Sequence, residues 1–118
     1  MFVSLVWSTP LVPAASQRAE IRLGGDLVSD VDVRVCDACQ RAVLEHIRVD
    51  AAHGRCGVAR EALAQVMEAW PGYSWSTTEL DPEVAEFWRR VFWPTPVLLG
   101  APQWCGHMAE AESAIGCE

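Results

Sequence analysis

Four side chains in this sequence have the types and spacing of a metal centre. Cys36 and Cys39 form a Cys-x-x-Cys pair, and Cys105-Gly106-His107 supplies a third thiol and an imidazole. A Cys-x-x-Cys pair at the tip of a β-hairpin has zinc-knuckle geometry, because a tight turn aims both thiolates at one point. Such a pair provides two of four ligands, and Cys105 with His107 is the natural second half of a Cys3His zinc site. Ordinary buried thiols are the competing reading. A redox Cys-x-x-Cys should open a helix, whereas this one leads into a strand pattern. Cys56 and Cys117 complete an odd set of five and are weaker candidates, one in a loop and one at the chain end.

Two further groups could carry chemistry. The segment Val49 to Ala59, with Gly54, Arg55 and Gly57, joins a strand pattern directly to a helical one. Small residues there let a ligand approach the backbone, and the N–H groups of a helix's first turn favour an anion. Simple turn punctuation would explain the same glycines. Glu45 is the candidate general base: alternation places it with Val43, Ile47 and Val49 on an otherwise apolar face, where burial would disfavour its charge and raise its pKa. A wet sheet edge is the alternative. His46 falls on the opposite face with Leu44 and Arg48 and reads as a packed or surface histidine. Tyr73, the only tyrosine, precedes a strand and is a poor general acid.

The elements that must position these groups follow from periodicity. Phe2 to Trp7 reads as a strand, Ser8 to Ala19 as a Pro-containing loop, and Glu20 to Leu23 as a strand meeting the turn Gly24-Gly25-Asp26. Val31, Val33 and Val35 alternate with Asp30, Asp32 and Arg34, and a return strand runs from about Ala42 to Val49, so the Cys pair caps a hairpin. The period then changes to 3.6: Ala59, Ala62, Leu63, Val66 and Trp70 share a stripe that Pro71-Gly72 ends. Tyr73 to Thr78 is a strand, and Asp81-Pro82-Glu83 starts a second helix bounded by Pro94. Val97 to Leu99 could be a last strand and Met108 to Ile115 a short terminal helix. The helix ending near Trp93 should run back antiparallel to its preceding strand, returning the chain to the hairpin tip. Trp70, Trp88 and Trp93 are expected in the core, and Trp7, Trp75 and Trp104 packing across the sheet. The order is ββββαβα plus a short C-terminal tail, an α+β pattern in one domain spanning residues 1–118.

Ile47-Arg48-Val49 followed by His53-Gly54-Arg55-Cys56-Gly57-Val58-Ala59 resembles the acetyl-CoA motif of the GNAT N-acetyltransferase superfamily, R/Q-x-x-G-x-G/A, with Gly57-Val58-Ala59 as its G-x-A part. Trp75 to Thr78 and Phe87 to Trp93 are similar to that family's next strand and helix. The resemblance covers about residues 30 to 93. It implies a GNAT-like mixed, mainly antiparallel sheet with two main helices, and acetyl-CoA as cosubstrate. Ile47, Arg48 and Val49 would be its pantetheine edge, and Gly54, Arg55, Gly57, Val58 and Ala59 its pyrophosphate cradle. The family often carries a carboxylate where Glu45 stands. Three departures stand out: Gly54 occupies the place of the motif's Arg or Gln, Trp88 stands where a general-acid Tyr is frequent, and no helical segment between the first two strands shapes an acceptor site.

Composition bounds the reading. The chain has 118 residues, 51% of them hydrophobic, with nine basic residues, all Arg, against sixteen acidic ones for a net charge of −7. So acidic a chain with scattered Arg lacks the basic stripe that nucleic-acid binding needs. Every apolar run is too short to span a membrane. The first 16 residues lack the positive start of a signal peptide, and Pro10 and Pro13 break them, so a cytoplasmic protein is expected. The sequence thus supports an N-acetyltransferase acting on an amine, small molecule or protein, whose shortened acceptor side a homodimer could complete. Its rival is an inactive, zinc-stabilised GNAT-like module that binds a protein partner.

Overall fold

In the computed structural model, which describes residues 2–49, 57–78, 82, 88, 89, 93 and 95–116, the chain forms one six-stranded sheet in sequence order. The strands are β1 Val3–Trp7, β2 Ser16–Leu23, β3 Asp26–Cys36, β4 Arg41–Val49, β5 Ser74–Thr77 and β6 Val97–Leu98; the helices are α1 Val58–Glu68 and α2 Gly106–Gly116. β1 to β4 form an antiparallel meander, while β4, β5 and β6 run parallel. Parallel neighbours need crossovers, and α1 supplies the first. Pro82, Trp88 and Arg89 are helical within the second. The strands, α1 and the terminal helix are those expected, whereas most of the helix expected from Asp81 to Pro94, with its start signals Asp81 and Glu83, lies outside the described residues. One bound shifts: β2 begins at Ser16, so the loop after β1 is shorter than the sequence reading allowed. Gly24 (φ 61°) and Gly25 (φ 95°) sit in the left-handed conformation that a two-residue hairpin turn requires.

The alternation of β3 puts Val31, Val33 and Val35 on one face, where Ile21, Ala42, Leu44 and Trp75 join them. α1 covers this face with Val58, Ala62, Leu63, Val66 and Met67, its predicted stripe. Each large side chain fully buried there, Leu63 among them, contributes about 1.5–3 kcal/mol. Trp7 meets Trp70 edge-on, with centroids 5.2 Å apart, and Trp75 lies beside them at 6.4 Å.

The other face carries a smaller core of Ala14, Ala15, Cys36 and Val43, closed by Met108 and Ala111 of α2. Met108, Ala111 and Ile115 recur at helical spacing, and alanine lets the helix approach the sheet closely. α2 thus covers a face for which the sequence reading found no cover. Trp104 belongs to this side, its ring 4.3 Å from the Arg34 guanidinium carbon, so it does not join the other tryptophans.

β4 contains one irregularity that matters. Asp32 pairs with His46 but Val33 pairs with Leu44, which leaves Glu45 as an extra, unpaired residue. A bulge of this kind resets the alternation. Ile47 therefore stands opposite Val31 and packs on the α1 face, while Glu45 reaches Arg34 on the α2 side. The expected grouping of Glu45 with Ile47 and Val49 is corrected, as is that of His46 with Leu44: His46 is exposed and lies opposite Asp32.

Candidate functional site

β4 and β5 pair from Arg41 with Ser74 to Leu44 with Thr77. The last described links are Thr78 N–H to the Leu44 carbonyl at 3.2 Å and Thr78 Oγ1 to the Glu45 carbonyl at 3.0 Å, and the residues that follow Thr78 lie outside the described ones. Beyond that point His46 to Val49 pair only with β3 among the described residues. The last described link to β5 thus falls at the bulge. Ile47, Arg48 and Val49, the expected pantetheine edge, form the arm of β4 beyond it.

The arm leads toward the start of α1. Gly57 is the N-cap residue in the left-handed conformation (φ 72°, ψ 14°), and no side chain caps the helix. The side chains of Val58 and Ala59 are buried against the sheet, which leaves main-chain groups as what this turn can offer an anion. Gly54 and Arg55, with His53 and Cys56, lie outside the described residues, as does Cys117.

Glu45 does not stand on an apolar face. Its carboxylate accepts hydrogen bonds from Arg34 Nε at 3.1 Å and Arg34 Nη2 at 3.5 Å. The Arg34 side chain is only 4% exposed. It also donates to the Ala14 carbonyl at 3.3 Å and to Glu112 Oε2 on α2 at 2.9 Å, beneath the Trp104 ring. A buried guanidinium needs such partners, since an uncompensated charge costs several kcal/mol, on the order of 3–5. Sequence reasoning missed Arg34, Glu112 and Trp104. The signal was present in outline: Arg34 shares a face with Cys36, so a helix led in by Cys105 and His107 had to lie over it.

At the opposite end of β4 the hairpin tip and the start of α2 meet. Cys36, Cys39, Cys105 and His107 bring their ligand atoms within 4.8 Å of one another. His107 Nδ1 lies 3.5 Å from the sulfurs of Cys36 and Cys39 and 3.9 Å from that of Cys105. For a tetrahedral zinc with bonds of about 2.3 Å to sulfur and about 2.05 Å to nitrogen, the sulfur–nitrogen edge is about 3.6 Å. The three sulfur–nitrogen distances lie close to that dimension, and four protein ligands leave no open position for substrate. The Cys105 thiol is held down, to about 6: burial alone would raise it, but the Met108 N–H, His107 and the other two thiols outweigh that effect. Cys39 is pushed up to about 11, first through its hydrogen bond with Cys105. Tyr73 sits beside the tip, its hydroxyl donating to Asp37 at 2.7 Å, which raises its pKa.

Trp88 is buried and helical, its carbonyl accepting from Trp93 Nε1 at 3.1 Å, and the two indoles stack 5.4 Å apart. An indole offers no hydroxyl proton. No helix is long and apolar enough to cross a membrane among the described residues.

No family model and no curated protein matches the sequence. Solved structures do. The proposed N-acetyltransferase YhhK of E. coli, solved with coenzyme A bound, superposes with a TM-score of 0.62 at 18% identity, over 75% of this chain and 85% of that one. A proposed acetyltransferase from Deinococcus radiodurans R1 gives 0.53 at 15% identity, over 80% and 64%. Nourseothricin acetyltransferase gives 0.52 at 23% identity over 64% of this chain, which spans about half (48%) of that larger protein. The chain therefore shares the fold of these acetyltransferases, a mixed, mostly antiparallel six-stranded sheet with helices that is GNAT-like.

Proposed function

We propose that the chain is an acetyl-CoA-dependent N-acetyltransferase. The observation that carries this reading is the coincidence of the β4 bulge with the last described link between β4 and β5. An extended, amide-bearing pantetheine can add as a strand would to the edge of Ile47 to Val49, which no described residue of β5 pairs. The pyrophosphate then falls toward Gly54, Arg55 and the main chain of Gly57 to Ala59. This places the thioester at the bulge, where a β4 N–H freed from ladder pairing polarises the carbonyl. The amine nitrogen attacks the carbonyl carbon and forms the new C–N bond. The C–S bond breaks, coenzyme A leaves as a thiolate that takes a proton, and Glu45 accepts the proton lost by the amine, directly or through water. A net charge of −7 favours a cationic amine.

A Cys3His zinc belongs to this reading as a structural ion, held by Cys36, Cys39, Cys105 and His107 and closed to substrate. Elemental analysis should find about one zinc per chain. Substituting Cys36 and Cys39 by Ser should abolish it.

The clamp on Glu45 favours a second reading, a GNAT-like binding module without turnover that engages a protein partner, since both oxygens of its carboxylate are already engaged by Arg34. Titration calorimetry with acetyl-CoA and a thiol-release assay with cationic amines such as spermidine separate the two. Binding with turnover that Glu45→Gln abolishes at unchanged affinity supports the enzyme. Binding without turnover supports the module, and no binding rejects the enzyme.

A further inference from the structure

The buried guanidinium of Arg34 joins regions far apart in sequence. Its partners come from four segments: Glu45 at the β4 bulge, the Ala14 carbonyl before β2, Glu112 on α2, and the Trp104 ring just ahead of α2. Glu112 and Trp104 travel with the segment that Cys105 and His107 pin to the hairpin tip. Arg34 and Cys36 are two residues apart on β3, so the tetrad and the guanidinium are neighbours on one face. A single side chain therefore separates α2 from Glu45. Among the described residues α2 has few other apolar holds: it has 11 residues, Met108 and Ala111 are buried with Ile115 partly buried beside them, and a helix this short is marginal in water without packing.

We propose that a metal ion in the tetrad latches Glu45 in place through α2. With the ion bound, Glu112 and Trp104 hold Arg34, and Arg34 fixes the Glu45 carboxylate at the β4 bulge. Without it, α2 leaves the sheet and the Arg34–Glu45 pair opens to water. Arg34 and Glu112 are positioning residues in this scheme, since they act on Glu45. The latch stands on side-chain geometry; its effect on turnover rests on the acetyl-transfer reading.

The test follows the Arg34 Nε–H by NMR in the zinc-loaded chain and after chelation. Arg18 Nε–H, which donates to Asp32 at 2.8 Å away from α2, is the internal reference. Exchange protection at Arg34 should fall about tenfold or more on zinc removal and return on zinc addition, with Arg18 and the amides of Ile21 and Val31 unchanged. Persistent protection at Arg34 with the zinc gone refutes the latch. If chelation also strips protection from the sheet, zinc-loaded Glu112→Ala decides, because it keeps the tetrad: its Arg34 Nε–H must lose protection, and unchanged protection refutes the proposal. In the transfer assay Glu112→Ala should lower kcat about tenfold at unchanged KM for acetyl-CoA, with Glu112→Gln, which keeps an oxygen acceptor, partly restoring it. Equal kcat in all three overturns the positioning role. A zinc-loaded wild-type chain that binds no acetyl-CoA sinks the acetyl-transfer reading alone and leaves the exchange result standing.

Discussion

Replacing Arg34 by Met removes one charge from a nearly dry cluster and leaves its partners behind. Met approximates the volume of the aliphatic stem and can pack beneath Trp104, so cavity formation adds little. The cost is electrostatic. Glu45, whose side chain is 17% exposed, loses its counter-ion, and removing one partner of a buried pair costs about 3–5 kcal/mol. The residual exposure of Glu45 argues for the lower end. Glu112, 54% exposed, is rehydrated and adds at most about 1 kcal/mol. The single variant should therefore lose about 3–4 kcal/mol in urea unfolding at fixed zinc concentration. The double variant Arg34→Met/Glu45→Leu removes the stranded carboxylate and should recover about 2 kcal/mol or more of that loss, because well-packed apolar residues can replace a buried ion pair at little net cost. A single-variant loss below about 1 kcal/mol, or a double variant no better than the sum of the singles, would show that Arg34 and Glu45 are not coupled as described.

Two further outcomes are expected. Gly57→Ala forces a Cβ into φ 72° at the start of α1, so stability should drop by about 1–2 kcal/mol and acetyl-CoA affinity should fall with the displaced first turn; an unchanged calorimetric Kd would remove Gly57 from the cradle. Tyr73, the only tyrosine, gives a clean ultraviolet titration: its native midpoint should lie above the usual 10.0 and return toward it in Asp37→Asn. A phenol pKa raised on folding contributes stability that is complete below pH 10 and is lost as pH rises through the native midpoint. Unfolding midpoints at fixed ionic strength across that window check the sign, and a flat profile contradicts it.

The legible and illegible parts of this chain divide along physical lines. Period-two and period-3.6 patterns depend on which residues are apolar, and they located β3, β4 and α1 to within a few residues. The tetrad was legible because ligand chemistry is specific to residue type and the crossover helix fixes where the tail returns. Glu45 was misplaced because one extra residue in β4 resets alternation, and nothing in Val43 to Val49 marks that site as a Gly or Pro would. Arg34 read as one more charge on a wet face of β3. Its burial depends on α2, more than 70 positions later in the chain, and no local pattern carries that information.

α2 also changes what the short loop after β1 means. The loop from Ser8 to Ala15 leaves no room for a helical cover over the second face, which from sequence alone looked like a missing acceptor half. The structure covers that face from the C-terminal side, with a helix whose own apolar contacts are few and whose N-terminus carries two of the four ligands. Such a helix needs help from elsewhere, since packing of an amphipathic face supplies most helical stability in proteins. A closed metal site would provide it, because metal affinity becomes folding free energy for the segment that brings the ligands. The same helix supplies Glu112 to the guanidinium that holds Glu45. Metal binding at the tetrad would thereby also govern the carboxylate at the β4 bulge.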